Sequence, residues 1–448
     1  MRPIFRILYW FYRSSTGLRH WIQRRFTRAG LAVLGALAIG AVMGPDTENN
    51  VTYQGFTILF FLLLVAICFS GLFPGRFGAE RRLPRFGTVG CALKYTVRVT
   101  NLTAKPQAGL ELLETLADPR PSFPEWLAVQ MADEKHLRSF RFSQGRRTNP
   151  FKPALTLATP MPAITPGGHS DIPVELMPLR RGLLRLTGLT LARPDPLGLF
   201  RAFVKVPAPQ NVLVLPRRYP LPSITLPGTL KYQEGGVALA SHVGQSEEFV
   251  SLRDYRHGDP LRHIHWRSWA KAGRPVVKEF EDEYFVRHAL VLDTFTEHPH
   301  SEVFEEAVSV AASFAYTLQT QESLLDLLFI GADSFCFTAG RGLAFADQML
   351  EILASVRACS EKPFASLERL VLNHAASVAG CICVLLKWDQ ERQEFIRQLK
   401  ALGVPVLVLV IADVRRTPVH EPGPLSDQPE RFHVLEVGHI ERGLARLR

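Results

Sequence analysis

Three regimes of hydrophobic patterning follow one another along the chain. Two unbroken apolar stretches come first, Ala29–Met43 (AGLAVLGALAIGAVM) and Gly55–Phe73 (GFTILFFLLLVAICFSGLF), and neither carries a charge. A helix of ~20 apolar residues spans a bilayer, so the second stretch is close to full length and the first falls short. Runs alternating at period two come next: Ala92–Thr100, Asp171–Leu176, Gly182–Leu191, Phe200–Val206 and Asn211–Leu215. Valine, leucine and threonine at that period, broken by Pro and Gly, predict antiparallel strands. Nineteen of the 32 prolines lie between Pro106 and Pro227, which argues against long helices there. From Val286 the pattern changes again. Near-continuous apolar strands (His288–Asp293, Leu324–Ile330, Cys381–Leu386, Val404–Ile411 and a short Phe432–Val437) alternate with helical periodicity at Ser301–Gln319, Phe345–Ala358, Ser366–Ala375, Gln390–Leu402 and Ile440–Leu447. That alternation predicts a mostly parallel sheet covered on both faces.

With 448 residues, 47% of them hydrophobic and 21% charged, the chain has room for two or three folded domains. Its net charge of +10 invites a nucleic-acid reading, but the placement of the charge argues otherwise. Arg2, Arg6, Arg13, Arg19, Arg24, Arg25 and Arg28 precede the first apolar stretch, and Arg76, Arg81, Arg82 and Arg85 follow the second. The connection Gly44–Gln54 carries Asp46 and Glu48 and neither Lys nor Arg. This asymmetry predicts an inner-membrane hairpin with both chain ends in the cytoplasm. A cleaved signal peptide fits poorly, because the basic lead is long and a second apolar segment follows. The cysteines (Cys68, Cys91, Cys336, Cys359, Cys381, Cys383) form no CxxC pair and no zinc spacing with histidine, so buried, reduced thiols are expected, in agreement with a cytoplasmic location.

The densest polar and aromatic block is Ser246–Glu281, SEEFVSLRDYRHGDPLRHIHWRSWAKAGRPVVKEFE. Glu248, Phe249, Leu252, Arg253, Tyr255, Gly258, Asp259, Arg262, Ile264, Trp266, Ala270, Val277, Lys278, Phe280 and Glu281 match the signature of a bacterial family known as a domain of unknown function, DUF58, which the chain therefore resembles. A second span, Arg180–Arg201, also resembles that family through Asp195, Pro196, Gly198 and Phe200, where the local chemistry predicts a strand, a Pro/Gly turn and a returning strand. The resemblance divides the chain into a basic lead and α-helical transmembrane hairpin (1–85), an all-β, Ig-like sandwich (86–227), the signature segment (228–284) and an α/β domain resembling the von Willebrand factor A fold (285–448). It also implies company: such proteins resemble partners of MoxR-type AAA+ ATPases, and many sit beside transglutaminase-like membrane proteins. The expectation is a membrane-anchored, non-enzymatic adaptor acting on an envelope or membrane client. A metal-dependent hydrolase and a purely structural envelope protein are the alternatives.

The von Willebrand resemblance implies a metal site. In that family, Asp-x-Ser-x-Ser after the first strand, a distant Thr and a later Asp hold Mg²⁺ with oxygen ligands. Here Asp293 matches, but Phe295 and Glu297 replace the serines, so a degenerate site of Asp293, Thr296, Thr338 and Asp389 is expected, with Thr294 or water as a substitute hydroxyl. If that site does not form, Asp293 would simply cap the segment after its strand. For the signature, Arg253, Asp254, Tyr255, Gly258, Asp259, Arg262, Trp266, Lys278 and Glu281 are the candidate interaction or interdomain residues. A continuous helix over Leu261–Ala272, ended at Gly273, would put His263 and His265 on different faces and rule out chelation. Acids interleaved with the arginines disfavour nucleic-acid binding.

Overall fold

A computed structural model describes residues 2–43, 50–71, 73, 75–137, 151–222, 249–257, 259, 261–280, 287–296, 301–319, 324–339, 343–413 and 421–447. By internal packing the chain divides into two compact units: residues 1–217 with 297–301 and 351–357, and residues 218–296, 302–350 and 358–448.

The first unit opens with helices α1 (Arg2–Arg25), α2 (Arg28–Met43) and α3 (Asn50–Gly71). Within α3, Tyr53–Gly71 is long and apolar enough to cross a membrane, and almost none of it is buried in the protein. The apolar part of α2, Arg28–Val42, is shorter. At 1.5 Å per residue, such a helix rises roughly 22 Å against a hydrocarbon core of about 30 Å. These two neighbouring apolar helices support membrane association.

Strands β1 (Phe77–Arg82), β2 (Phe86–Thr88), β3 (Leu93–Asn101) and β4 (Glu111–Leu116) follow, then helix α4 (Phe123–Leu137). Strands β5 (Ala154–Thr156), β6 (Thr159–Pro160), β7 (His169–Pro178), β8 (Gly182–Pro194) and β9 (Arg201–Leu215) complete two sheets, ordered β1-β3-β7-β5 and β2-β9-β8-β4-β6. Period-two alternation gives each sheet one apolar face, and both faces contribute to one core: Val97, Val99, Ile172 and Val174 from the first sheet, Leu112, Leu189, Leu191 and Val214 from the second. Linking the two sheets, Arg81 of β1 pairs with Glu114 of β4 (3.0 Å), both side chains being essentially inaccessible, and the Tyr95 hydroxyl donates to Glu114 Oε1 at 2.8 Å. The guanidinium also donates to the Gly188 and Ala208 carbonyls, so this buried charge is paired and hydrogen-bonded.

Two expectations are corrected here. The proline-rich region does hold a helix of 15 residues, α4, because its Pro124 falls in the first turn, where the missing N–H has no intrahelical acceptor to serve. The separate runs Phe200–Val206 and Asn211–Leu215 form a single strand, β9, that stays paired with β8 through a register shift between Leu186 and Gly188.

In the second unit β10 (Phe249–Asp254) and β11 (Val276–Phe280) form an antiparallel pair carrying the short helix α5 (Trp266–Ala272). Beyond them come β12 (Arg287–Leu292), α6 (Glu302–Gln319), β13 (Leu324–Ile330), β14 (Ser334–Ala339), α7 (Leu343–Ser355), α8 (Ala365–His374), β15 (Gly380–Leu385), α9 (Gln390–Ala401), β16 (Val406–Ala412), β17 (Phe432–Glu436) and α10 (Ile440–Leu444). The six strands order as β14-β13-β12-β15-β16-β17; all pairs are parallel except the antiparallel edge β13–β14. Strands β12, β15 and β16 are almost wholly buried, as their continuous apolar sequence requires. The strand order reverses at β12, so the ends of β12 and β15 flank the switch point where open α/β sheets place their ligands.

Candidate functional site

Strand β12 delivers Asp293 to the switch point, where it is fully buried. Its N–H donates to Val384 O on β15 (2.9 Å). Its carboxylate accepts from Phe295 N (2.9 Å), Leu386 N (3.2 Å) and Arg392 Nε (3.0 Å). Asp389 caps α9, accepting from Arg392 N at 3.2 Å, and its other oxygen takes Arg392 Nη1 at 2.7 Å. One guanidinium thus joins the two aspartates. Arg392 itself is 4% exposed and lies over the Phe364 ring at 4.3 Å, on a floor of Phe295, Phe364 and Phe395 set edge to face. Burial opposes its charge, but Asp293 and then Asp389 outweigh that and raise its pKa, so the cation persists.

The expected metal set is corrected by this geometry. Asp293 and Asp389 do meet at the carboxyl edge of the sheet, but through an arginine, which offsets one of the two negative charges and occupies the carboxylate oxygens that a metal ion would need. Phe295 supplies only a backbone N–H and an apolar ring. Thr296 lies half-buried three residues beyond Asp293. Thr294 turns its hydroxyl to the Ile330 carbonyl. Thr338 stands at the other end of the sheet, on β14 opposite Asp326, and accepts from Arg287 Nη2 at 3.2 Å. Arg287 opens β12 and Asp293 follows its end, so about 20 Å of strand separates them. Among the described residues no group of three or more His, Cys, Asp and Glu side chains is placed to hold a metal. The residues present do not fit the ion.

Arg392 was missed in the sequence, yet its signal was there. It falls with Phe395, Ile396 and Leu399 on the buried face of α9, at spacings of three, four and seven. An arginine on that face needs a buried acid, though its spacing does not say which one.

In the signature, Arg253 forks onto Asp259 with bonds of 2.7 and 2.8 Å, and Arg256 N donates to the same carboxylate at 2.8 Å. Asp254 pairs with Arg274 at 3.0 Å. Tyr255 N donates to Pro275 O, and Lys278 lies opposite Leu252 in the strand pair. Arg262 belongs to a 3₁₀ turn over Leu261–His263, while Gly258 and Glu281 lie outside the described residues. The expected helix over Leu261–Ala272 is broken. Ile264 bridges to Val277, and His265 N donates to Val276 O, so α5 starts only at Trp266. The apolar Ile264 is more favourably placed buried against β11 than continuing an exposed helix. Trp266, 65% exposed, stacks on Trp269 with centroids 5.2 Å apart and planes 17° apart. The two indoles and Ala270 line a shallow surface pocket.

Arg253 and the Arg256 amide hold Asp259 down to a pKa of about 2. Because its folded pKa lies below its ordinary 3.8, its contribution is complete above that value and is lost as pH falls through about 2. Carboxyl-detected NMR is expected to place the Asp259 midpoint there; a midpoint near the ordinary carboxylate value would mean that the fork does not form in solution.

The other family span, Asp195–Phe200, builds a corner brace. Asp195 accepts from Leu197 N (3.2 Å), Leu199 N (2.7 Å) and Phe200 N (2.8 Å), and Gly198 turns at φ +69. The turn grips the α1–α2 corner: Phe26 bridges to Phe200 with rings 5.0 Å apart, Thr27 N donates to Leu199 O at 3.1 Å, and the Thr27 hydroxyl donates to Gly198 O. Asp195 is committed to backbone amides and shapes the turn.

Residues 251–437 match a family model described as protein of unknown function, DUF58. The uncharacterized protein YeaD of Bacillus subtilis (strain 168) is 29% identical over 141 residues, which cover 31% of this chain and 34% of YeaD. The match thus spans about a third of that relative's length. Among solved structures, the CARDB domain of PF1109 from Pyrococcus furiosus is 12% identical, covering 31% of this chain and 93% of that one, at a TM-score of 0.16. A Salmonella alpha-2-macroglobulin variant is 17% identical over 34% of this chain and 8% of that one, at a TM-score of 0.18. Scores that low decide nothing about the fold.

Proposed function

This chain belongs to the DUF58 family through residues 251–437, and we propose from that premise that it is a membrane-anchored adaptor without catalytic activity, binding a MoxR-type AAA+ ATPase beside an envelope or membrane client. Helices α2 and α3 are its hairpin, with both chain ends cytoplasmic, and a transglutaminase-like membrane protein is a candidate neighbour. The β-domain is an Ig-like sandwich. The strand order β14-β13-β12-β15-β16-β17 with one antiparallel edge supports a von Willebrand A-like domain.

The observation that carries the reading is the stacked Trp266–Trp269 pair. An indole 65% exposed has a large apolar area left in water, and tryptophan dominates the binding energy of protein interfaces. The exposed Arg267 and Lys271 on the same short helix α5 add positive charge suited to an acidic partner. The Asp293–Arg392–Asp389 cluster supports the same reading, since acids joined by a resident arginine suit a fixed scaffold better than a hydrolytic centre.

Nucleotide-dependent crosslinking in intact membranes tests it. Wild-type protein is expected to trap an AAA+ ATPase, and Trp266→Ala with Trp269→Ala is expected to lower the yield about tenfold or more, the loss of a small hot spot. Recovery of no AAA+ ATPase with either ATP or ADP would sink the proposal.

A further inference from the structure

Helix α1 carries an apolar stripe that the described residues leave uncovered. Ile4, Ile7, Leu8, Phe11 and Leu18 recur at spacings of three, four and seven, share one face, and are 63%, 68%, 49%, 67% and 59% exposed. The opposite side of the helix is already occupied. Tyr9 donates to Pro121 O at 2.8 Å and packs against Phe123 and Trp126, and Tyr12 also lies against Trp126. The stripe is therefore not a core face awaiting α4.

Two further observations say what covers it. Arg2, Arg6, Arg13, Arg19, Arg24 and Arg25 all belong to α1, which has no acidic residue, and Trp10 and Trp21 border the stripe, both exposed. Only Phe26 and Thr27 separate α1 from α2, and the Asp195–Phe200 turn pins that corner. The end of α1 is therefore held within two residues of the apolar helices. A basic helix with an apolar stripe and bordering tryptophans, fixed at a bilayer boundary, matches the chemistry of an anionic lipid surface.

We propose that α1 is an interfacial helix, lying along the anionic leaflet with Ile4, Ile7, Leu8, Phe11 and Leu18 among the upper acyl chains and the exposed Arg6, Arg13 and Arg19 at the lipid phosphates, while Arg24 and Arg25 hold the β-domain. The proposal rests on the membrane anchoring given under the proposed function and adds to it a specific lipid surface and the helix that reads it. Anchoring by α2 and α3 is indifferent to headgroup charge, whereas seating of α1 depends on it.

The test uses the full chain in vesicles of phosphatidylglycerol or of phosphatidylcholine, with a benzophenone amino acid placed at Phe11 in one variant and at the exposed Phe61 of α3 in another. Lipid adducts at Phe61 in both vesicle types report anchoring. Adducts at Phe11 are expected to be about tenfold more abundant in phosphatidylglycerol, and to fall on Arg6→Gln with Arg19→Gln while the Phe61 adducts persist. Adducts at Phe61 without any at Phe11, equal Phe11 adducts in the two lipids, or Phe11 crosslinks to protein in place of lipid would each overturn the interfacial helix and leave the anchor standing. Absence of adducts at both positions would remove the anchor and this inference with it.

Discussion

Replacing Arg392 by Met is expected to destabilise the α/β unit by about 3–5 kcal/mol, because it strands a fully buried carboxylate without its counter-charge. Asp293 would keep the Phe295 and Leu386 amides but lose its only close cation among the described residues, and Asp389 would lose Nη1. Adding Asp293→Asn removes the stranded charge, so the double variant is expected to be more stable than Arg392→Met alone. This sign is the mark of a buried pair whose cost lies in desolvation. Hydrogen exchange of the β12 and β15 amides, which sit at the centre of the sheet, reads the loss as faster global opening. If Mg²⁺ restored the single variant to wild-type protection, Asp293 and Asp389 would be metal ligands after all. A cost below about 1 kcal/mol would show that the guanidinium is not what compensates Asp293.

Gly30→Ala is expected to reverse the usual sign of a glycine-to-alanine change in a helix. In a helix interior the substitution ordinarily stabilises by about 0.5–1 kcal/mol. Here the new Cβ would stand 1.9 Å from Leu199 O and 2.9 Å from Leu199 C, both backbone atoms of the Asp195–Phe200 brace. Those atoms cannot rotate away as a side-chain tip would. Either α2 or the turn must move, breaking the Thr27 N–H to Leu199 O bond and the Phe26–Phe200 bridge. Overpacking together with a lost hydrogen bond gives a cost of about 2–4 kcal/mol. Gly35 in the same helix is the control, since a Cβ there meets nothing within 4 Å, and Gly35→Ala is expected to be neutral or slightly stabilising. Amide exchange at Thr27 separates the two: it should rise in the Gly30 variant and stay unchanged in the Gly35 one. Equal behaviour of both variants would mean that the turn does not hold the corner.

The brace also explains why Asp195, Pro196, Gly198 and Phe200 occur together. Asp195 gathers three amides, Gly198 supplies a backbone angle that side chains disfavour, and Phe200 supplies the ring that meets Phe26. The turn itself was legible in the sequence. Its role was not, because the α1–α2 corner that it holds lies more than 160 residues earlier in the chain.

Local periodicity and composition were enough for the two apolar helices, the alternating strands β3, β7 and β8, and the buried strands β12, β13, β15 and β16, since each depends on which face of a short segment leaves water. The short or weakly apolar strands β1, β4 and β14 were not legible, because strand pairing with a distant partner, more than their own pattern, holds them in place. Helix α1 showed as basic flanking sequence, and its stripe became visible only once Tyr9 and Tyr12 were seen to occupy the other side.

The sequence by itself determined which segments are apolar, which alternate, and that Ser246–Glu281 carries a family signature, because those properties are written in neighbouring side chains. The tertiary structure alone decided that Asp293 meets Arg392 and that Thr338 stands at the far end of the sheet. The physical reason is range: a hydrophobic face is set by spacings of two to four residues, whereas a buried charge is satisfied by whichever partner the topology brings within about 3 Å, here 99 residues along the chain.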